Sequence, residues 1–202
     1  MLDLLITNAT LPDGRTGMDI ACVSGLIAEI APAIKGETLK TIDAKGYLVS
    51  PPFIDSHFHM DATLSLGIPR LNVSGTLLEG IGLWGELKPL LTQEAVIERA
   101  LRYCDLAVSK GMGAIRTHVD VCDDRLLCVE ALLEVKKKIA PYIELQIVAF
   151  PQDGFYRSKS AKQNLIRALD LGVDVVGGIP HFERTMAEGA ASLKELCEIA
   201  EK

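Results

Sequence analysis

Two histidines one residue apart, His57 and His59, are the clearest candidates for chemistry in this sequence. They follow a short apolar run in the segment PPFIDSHFHMD, which we interpret as the end of a strand. Side chains two residues apart on a strand point to the same side, about 6.6 to 7 Å apart along the strand. The two imidazoles could therefore bind one metal ion, although two polar residues at an exposed strand end would give the same pattern.

Other polar residues also follow short apolar runs. They are His118 and Asp120 in RTHVD, Gln152 and Asp153 in FPQDG, and His181 and Glu183 in IPHFE. All four histidines of the chain thus fall at predicted strand ends, whereas packing alone would be expected to place at least one in a helix. Asp61, two residues beyond His59, either orients a metal ligand or begins the following loop.

The elements that would position these residues are strands alternating with helices. The predicted strands are FIDS, GAIRTHV, IELQIVAF and VDVVGGI, and the predicted helices are TQEAVIERALRYCDLAVSKG, DDRLLCVEALLEVKKKI and SAKQNLIRALDLG. Such alternation predicts a parallel sheet and an α/β fold. Polar residues follow successive strands rather than a single switch point, so we favour a barrel, which keeps its chemistry at the carboxyl ends of the strands.

The first fifty residues have a different pattern, in which short apolar stretches alternate with turn residues. We predict short antiparallel strands in LDLLIT, MDIACV, GLIAEI, TIDA and KGYLVS. Pro51-Pro52 then interrupts the pattern, because proline cannot donate to a strand ladder and restricts the preceding residue. The sequence therefore predicts two domains, 1–50 and 51–202.

Composition excludes several classes of function. The net charge of −6 argues against a nucleic-acid partner, and the basic run Lys136–Lys138 lies at the end of a predicted helix, where cations favour the helix dipole. The five cysteines are scattered and never form CxxC, which indicates buried apolar residues rather than disulfides or a zinc knot. No apolar run is long enough to span a bilayer, and Asp3 stands where a secretory signal has basic residues. We expect a soluble, cytoplasmic protein with no membrane partner.

Sequence motifs bear on further classes of function. GxxxxGK[ST] does not occur in the sequence. GxGxxG occurs once, over residues 80–85, but no predicted strand directly precedes it, as a dinucleotide-binding loop requires. The small α/β nucleoside deaminases pair H-x-E with P-C-x-x-C, and the second of these motifs does not occur, so the complete signature is absent.

Five segments of the sequence resemble, in order and spacing, the cytosine deaminases of the amidohydrolase superfamily. They are PPFIDSHFHMD, SGTLLEGIGLW, RTHVDV, IELQIVAFPQDG and VVGGIPHFE. The resemblance runs from about Leu5 to Lys202. The combination of FPQDG and IPHFE is far more specific to this family than HxH is. It implies the first half of a (β/α)8 metal-dependent hydrolase barrel, preceded by strands of a small β-sandwich that the family builds from both chain ends.

The resemblance also implies roles for individual residues. His57 and His59 match the first two ligands of one divalent metal ion, iron or zinc. Gln152 matches an amide that hydrogen-bonds the pyrimidine, and a planar amide can pair with a ring carbonyl and the adjacent N–H. Phe150 either lines the pocket or ends a buried strand. His181 and His118 match positions near the site, where His181 is a candidate substrate contact, and the alternative is that both only brace the loops. No role is assigned to His118, Asp120 or Glu183.

The helical spacing of Leu77, Leu78, Ile81 and Trp84 indicates a helix near the same site. For the leucines we expect plain packing in the core. Trp84, the only tryptophan, could instead wall a flat heteroaromatic pocket by stacking.

The reaction implied by the resemblance is hydrolytic deamination of cytosine or a closely related cyclic amidine. The metal lowers the pKa of a bound water, hydroxide attacks the amidine carbon, and ammonia leaves. Family members also use an HxxE motif that carries a third histidine and a shuttle glutamate, then another histidine and an aspartate. None of these occurs in this sequence, so the catalytic glutamate and aspartate are expected beyond Lys202.

The predicted units are also too few for a closed barrel. Four strand and helix units fit in residues 52–202, whereas a barrel needs eight. We therefore expect the N-terminal half of a longer protein, inactive in isolation and prone to self-association through its open edges. The parent protein is expected to bind a small molecule and to be a homo-oligomer.

Three other readings remain open from the sequence. One is an aminohydrolase for a triazine, creatinine-like or isocytosine ring. Another is a half-barrel fragment that only binds a partner. The third is another barrel enzyme, such as a phosphate-binding isomerase.

Overall fold

The computed structural model describes residues 1–201, which form two compact units. The first unit spans Met1–Pro51 and the second begins at Pro52. Each unit has its own four-stranded sheet and its own apolar core.

The first unit contains one sheet of strand order β3-β2-β1-β4. Its strands are β1 (Leu4–Ala9), β2 (Met18–Val23), β3 (Leu26–Ala31) and β4 (Thr41–Asp43). As predicted, β1, β2 and β3 are antiparallel neighbours, and their core consists of Ala9, Leu11, Met18 and Ile20.

Two predictions for the first unit were wrong. β4 pairs with β1 in parallel, because the connection over residues 32–40 carries the chain back to the end of the sheet at which β1 begins. The segment KGYLVS is not a strand, and only Leu48 makes an isolated bridge, to Thr10.

The second unit is a parallel sheet with strands in chain order. The strands are β5 (Phe53–Phe58), β6 (Met112–Asp120), β7 (Glu144–Phe150) and β8 (Val175–Val176), and the helices are α1 (Leu77–Leu87), α2 (Gln93–Ser109), α3 (Leu127–Ile139), α4 (Ala161–Asp170) and α5 (Met186–Ala200). Three single-turn 3₁₀ helices are Met60–Ala62, Lys88–Leu90 and Pro180–Phe182. The predicted α/β class, with strand and helix units of a partial barrel, is confirmed.

The amphipathic helices pack their apolar faces against this sheet and one another. Val96, Ala100 and Cys104 of α2 are fully buried, and Thr92 caps the helix by accepting a hydrogen bond from the Ala95 N–H. Leu132 and Val135 of α3 are buried in the same core.

The last strand is shorter than the sequence predicted. Only Val175 and Val176 of VDVVGGI belong to the ladder, because the chain turns away at Gly177. A Cβ at Gly177 would lie 2.6 Å from Val148 Cγ1, so only glycine permits this close approach. All four strands nevertheless end at one edge of the sheet, where the polar segments meet.

Among residues 1–201, none of the helices combines the length and apolar character that crossing a membrane requires.

Candidate active site

A pocket of about 530 Å³ lies at the carboxyl ends of the parallel strands. All six residues proposed from the sequence as ligands or substrate contacts line it: His57, His59, Trp84, Phe150, Gln152 and His181. They come from segments spread over more than a hundred residues of chain, and the strand ends bring them together.

Three of the four histidines form a cluster on one side of this pocket. The ring centroids of His57 and His59 are 5.4 Å apart, and His118 lies 4.0 Å from His57 and 5.7 Å from His59. Burial, followed by the neighbouring His57, lowers the pKa of His59. Burial, with His57 and His59 adding to it, lowers the pKa of His118 to about 4. The neutral imidazole, the form that binds metals, is therefore favoured for His59 and His118.

The cluster matches part of a metal site. His57 and His59 offer two nitrogen donors, and the buried Nδ1 of His118 has no hydrogen-bond partner among the described residues. Within residues 1–201, however, no three His, Cys, Asp or Glu side chains are arranged to hold one ion. The donors suit a zinc or iron ion in type, while their number is below the three protein ligands usual in catalytic zinc sites.

Asp61 braces the segment that carries His59. Its carboxylate is 2% exposed and accepts a 3.0 Å hydrogen bond from the Asp120 N–H. The Arg99 guanidinium donates to the backbone oxygens of Asp61 and Thr63. Burial raises the pKa of Asp61 to about 7. Asp61 thus joins the turn after β5 to the end of β6, which is a bracing role beyond that of a loop start.

Trp84 forms another wall of the pocket, and its indole N–H is hydrogen-bonded to the end of β6. Its indole N–H donates a 2.7 Å hydrogen bond to Oδ2 of Asp120, and the Lys88 ammonium lies 2.9 Å from the same oxygen. Sequence reasoning gave Asp120 no role and missed Lys88. Asp120 was at least marked by its place at a strand end, whereas no sequence pattern singles out Lys88.

The first turn of α1 corrects one expectation. Leu77 and Leu78 are 79% and 75% exposed and line the pocket, so the prediction of core packing for them was wrong. The Thr76 side chain caps α1, and Arg70 pairs with Glu79 and Glu86 on the helix. α1 consequently offers part of its apolar face to the pocket instead of the core.

The loops that carry Gln152 and His181 are fastened to each other. The Glu183 carboxylate accepts hydrogen bonds from the backbone N–H groups of Phe155 and Tyr156 at 2.5 and 3.2 Å. In return, Arg157 donates to the Phe182 carbonyl at 2.8 Å, and its guanidinium lies 4.4 Å from the centre of the Phe182 ring. These contacts fix the loop after β7 relative to the loop after β8.

Phe150 both ends a strand and lines the pocket. It is the last residue of β7 and packs edge-on against His59 and His118, with ring centroids 5.6 and 5.4 Å apart. Of the two alternatives left open by the sequence, the structure therefore shows both together.

Comparison with known proteins places this arrangement in context. The family model described as "Amidohydrolase family" matches residues 40–202. The crystal structure of 5-methylcytosine deaminase from Klebsiella pneumoniae liganded with 5-fluorocytosine superimposes with a TM-score of 0.90 at 41% identity, covering 98% of this chain and 48% of that chain. The resemblance to cytosine deaminases predicted from the sequence is thereby confirmed.

Two other relatives carry a different name. N-isopropylammelide isopropyl amidohydrolase of Pseudomonas sp. (strain ADP) is 33% identical over 95% of this chain and 49% of its own length. The structure of N-isopropylammelide isopropylaminohydrolase from Burkholderia multivorans matches with a TM-score of 0.83 at 25% identity, covering 100% of this chain and 52% of that chain. The chain spans about half the length of these relatives.

Proposed function

This chain belongs to the amidohydrolase family, and we propose that its pocket is part of the active site of a metal-dependent hydrolase that deaminates cytosine or a closely related cyclic amidine. One observation carries the proposal. The pocket joins the His57 and His59 pair to the planar amide of Gln152, with Trp84 and Phe150 as aromatic walls. Such a pocket suits a flat ring that places one of its carbon atoms near a metal ion and one of its hydrogen-bonding edges against an amide.

His57 and His59 would hold one divalent ion, iron or zinc, through their ring nitrogens. The bound ion would supply Lewis-acid chemistry, which lowers the pKa of a coordinated water. The neutral state favoured for His59 leaves a lone pair free for this purpose. Contact with the backbone of His118 partly opposes the lowering of the His59 pKa.

Gln152 would recognise the edge of the ring. Its amide carries an acceptor and a donor in one plane, which matches a ring carbonyl beside an N–H. Trp84 and Phe150 would exclude water from the ring faces, and apolar Leu77 and Leu78 would cover the ring from α1. We assign His181 to the rim of the same pocket, near the substrate.

We further propose that this chain supplies only part of the site. Residues 1–50 would belong to a small β-sandwich, and residues 51–202 would be the first four units of the barrel. The shuttle glutamate and the aspartate would then come from sequence beyond Lys202. On this proposal, the parent protein is a cytoplasmic homo-oligomer.

The division of the site can be tested by comparing this 202-residue chain with a longer protein that contains it. We expect the longer protein to hold about one metal ion per chain and to release ammonia from cytosine, whereas the 202-residue chain does neither. The measurements are metal content by atomic emission and ammonia release in a coupled assay. Cytosine turnover by a monodisperse monomer of the 202-residue chain would contradict the proposal.

Removal of the Gln152 amide tests the assignment of substrate class. In Gln152→Ala of the longer protein, the affinity for 5-fluorocytosine should fall about tenfold, because loss of one buried hydrogen-bonding partner of the ring edge costs on the order of 1.4 kcal/mol. Metal content should not change, since Gln152 offers no ligand. Gln163→Ala, an exposed glutamine on α4, is the matched control. Equal affinities for the two variants would show that Gln152 does not read the ring.

A triazine ring is the second candidate substrate, favoured by the two relatives named for N-isopropylammelide. A panel of cytosine, 5-methylcytosine and an N-alkylated aminotriazine separates the two candidates by the ratio of kcat/KM values. A preference for the triazine would leave the proposed chemistry in place and reassign the ring.

A further inference from the structure

A charged cluster lies directly behind the Trp84 wall of the pocket. The Asp120 carboxylate is 3% exposed and receives donors on both oxygens. Oδ2 accepts the indole N–H of Trp84 at 2.7 Å and faces the Lys88 ammonium at 2.9 Å, while Oδ1 accepts the Cys122 N–H at 2.8 Å.

Lys88 connects this cluster to the other polar wall of the pocket. Its ammonium also binds Oδ2 of Asp153 at 2.6 Å, and Asp153 directly follows Gln152. Burial by itself would lower the pKa of Lys88, but the carboxylates of Asp120 and Asp153 outweigh it and the pKa is raised. Lys88 therefore stays charged and holds the ends of β6 and β7 together.

We propose that Asp120 and Lys88 are positioning residues that set the orientation of the Trp84 indole and its spacing from the Gln152 amide, and so determine that the pocket accepts a flat ring. The proposal rests on the function proposed above and adds to it two specificity residues that do not touch the substrate. Both act through a neighbour, Asp120 through the indole N–H and Lys88 through Asp120 and Asp153.

The physical reason lies in what each group would do without its partner. Without Asp120, the indole N–H of Trp84 is a partly buried donor that lacks an acceptor. The ring is then expected to rotate toward another acceptor or toward solvent. A buried carboxylate that loses Lys88 is left without its counterion, which favours movement of the Asp120 side chain toward water and away from the indole N–H. In either case the wall that faces the substrate ring changes shape, while His57 and His59 keep their places.

The single tryptophan gives a direct measurement on this 202-residue chain. In Asp120→Asn we expect the Trp84 emission to shift to longer wavelength and its quenching by acrylamide to increase, because the side-chain amide cannot accept from Trp84, Lys88 and Cys122 together. Lys88→Met should change both signals in the same direction. The matched control is Lys136→Met, which removes another lysine and aspartate pair, with Asp174, away from the pocket. It should leave both signals unchanged.

The affinity for the substrate ring shows whether the orientation of Trp84 affects binding. By equilibrium dialysis of a longer protein that contains the chain, the affinity of Asp120→Asn for 5-fluorocytosine should fall about tenfold, because the displaced indole loses an aromatic contact with the ring of about 1.4 kcal/mol. Trp84→Phe keeps an aromatic face but lacks the N–H donor, so it should lose a similar factor. The double variant Asp120→Asn/Trp84→Phe should be no worse than Trp84→Phe alone, because both changes break the same bond.

The outcomes separate this inference from the proposed function. A red-shifted Trp84 with weakened ring binding and a non-additive double variant supports the inference. Unchanged Trp84 emission in both Asp120→Asn and Lys88→Met overturns it, as does full additivity in the double variant. If the unaltered longer protein binds a triazine in place of 5-fluorocytosine, the proposed substrate fails, and the same variants decide the positioning role with that ring. Should Asp120→Asn fail to fold, Lys88→Met supplies the Trp84 emission test, and Lys88→Met/Trp84→Phe supplies the test of additivity.

Discussion

Replacing His59 by asparagine is expected to lower the affinity for zinc or iron by at least about a hundredfold, the upper end of what the loss of an outer-shell partner costs a metal site. His59 is one of only two ligands proposed within the described chain, so the variant leaves this chain with a single imidazole donor. Asparagine is close to histidine in size and polarity, which makes a packing effect small at this half-buried position. The measurement is the metal content of a longer protein that contains the chain, after dialysis against a series of chelator concentrations.

The matched control is His181→Asn. His181 lines the same pocket but sits on the 3₁₀ helix Pro180–Phe182, apart from the histidine cluster. This variant should keep its metal and lose only ring affinity. In a longer protein containing the chain, ammonia release should decline in proportion to metal content for His59→Asn. Equal metal content in the two variants would show that His59 is not a ligand.

Gly189→Ala is expected to destabilise the second unit by about 3 kcal/mol, at the upper end of the usual cost of overpacking. Gly189 lies in α5 and is buried against the 3₁₀ helix that carries His181. A Cβ at this position would lie 2.7 Å from the carbonyl oxygen of Pro180, and a backbone atom cannot move aside as the end of a side chain can. The expected result is a lower midpoint in urea and a displaced His181.

A second helical glycine provides the control. Gly82 in α1 has no atom within 4 Å of its ideal Cβ position, so alanine there should stabilise the helix by about 1 kcal/mol. Opposite signs for Gly82→Ala and Gly189→Ala would show that the close approach, rather than loss of glycine itself, controls stability. If Gly189→Ala stabilised the protein as much as Gly82→Ala, α5 would be able to shift away from Pro180 at little cost.

Much of the second unit followed from local patterns in the sequence. The parallel strands, the helices between them and the polar strand ends were all predicted, since hydrophobic period and turn residues are local properties. Strand ends that are parallel neighbours must meet at one edge, and for this reason His57, Gln152 and His181 line one pocket.

Details of packing could not be read in the same way. The exposed first turn of α1 depends on where the helix crosses the sheet, and a helical period alone predicts a buried face for Leu77 and Leu78. Likewise, the parallel pairing of β4 and the two-residue length of β8 depend on contacts with distant strands, such as that of Gly177 with Val148.

The sequence by itself determined the fold class, the family resemblance and the identity of the candidate ligands and ring contacts, because these depend on residue type and spacing along the chain. Only the tertiary structure decided which side chains support them. Lys88 and Asp120 are 32 positions apart, yet their charged groups meet 2.9 Å apart behind Trp84. A pair of this kind has no local signature, since it forms only when helix, strand and loop have packed and removed both charges from water.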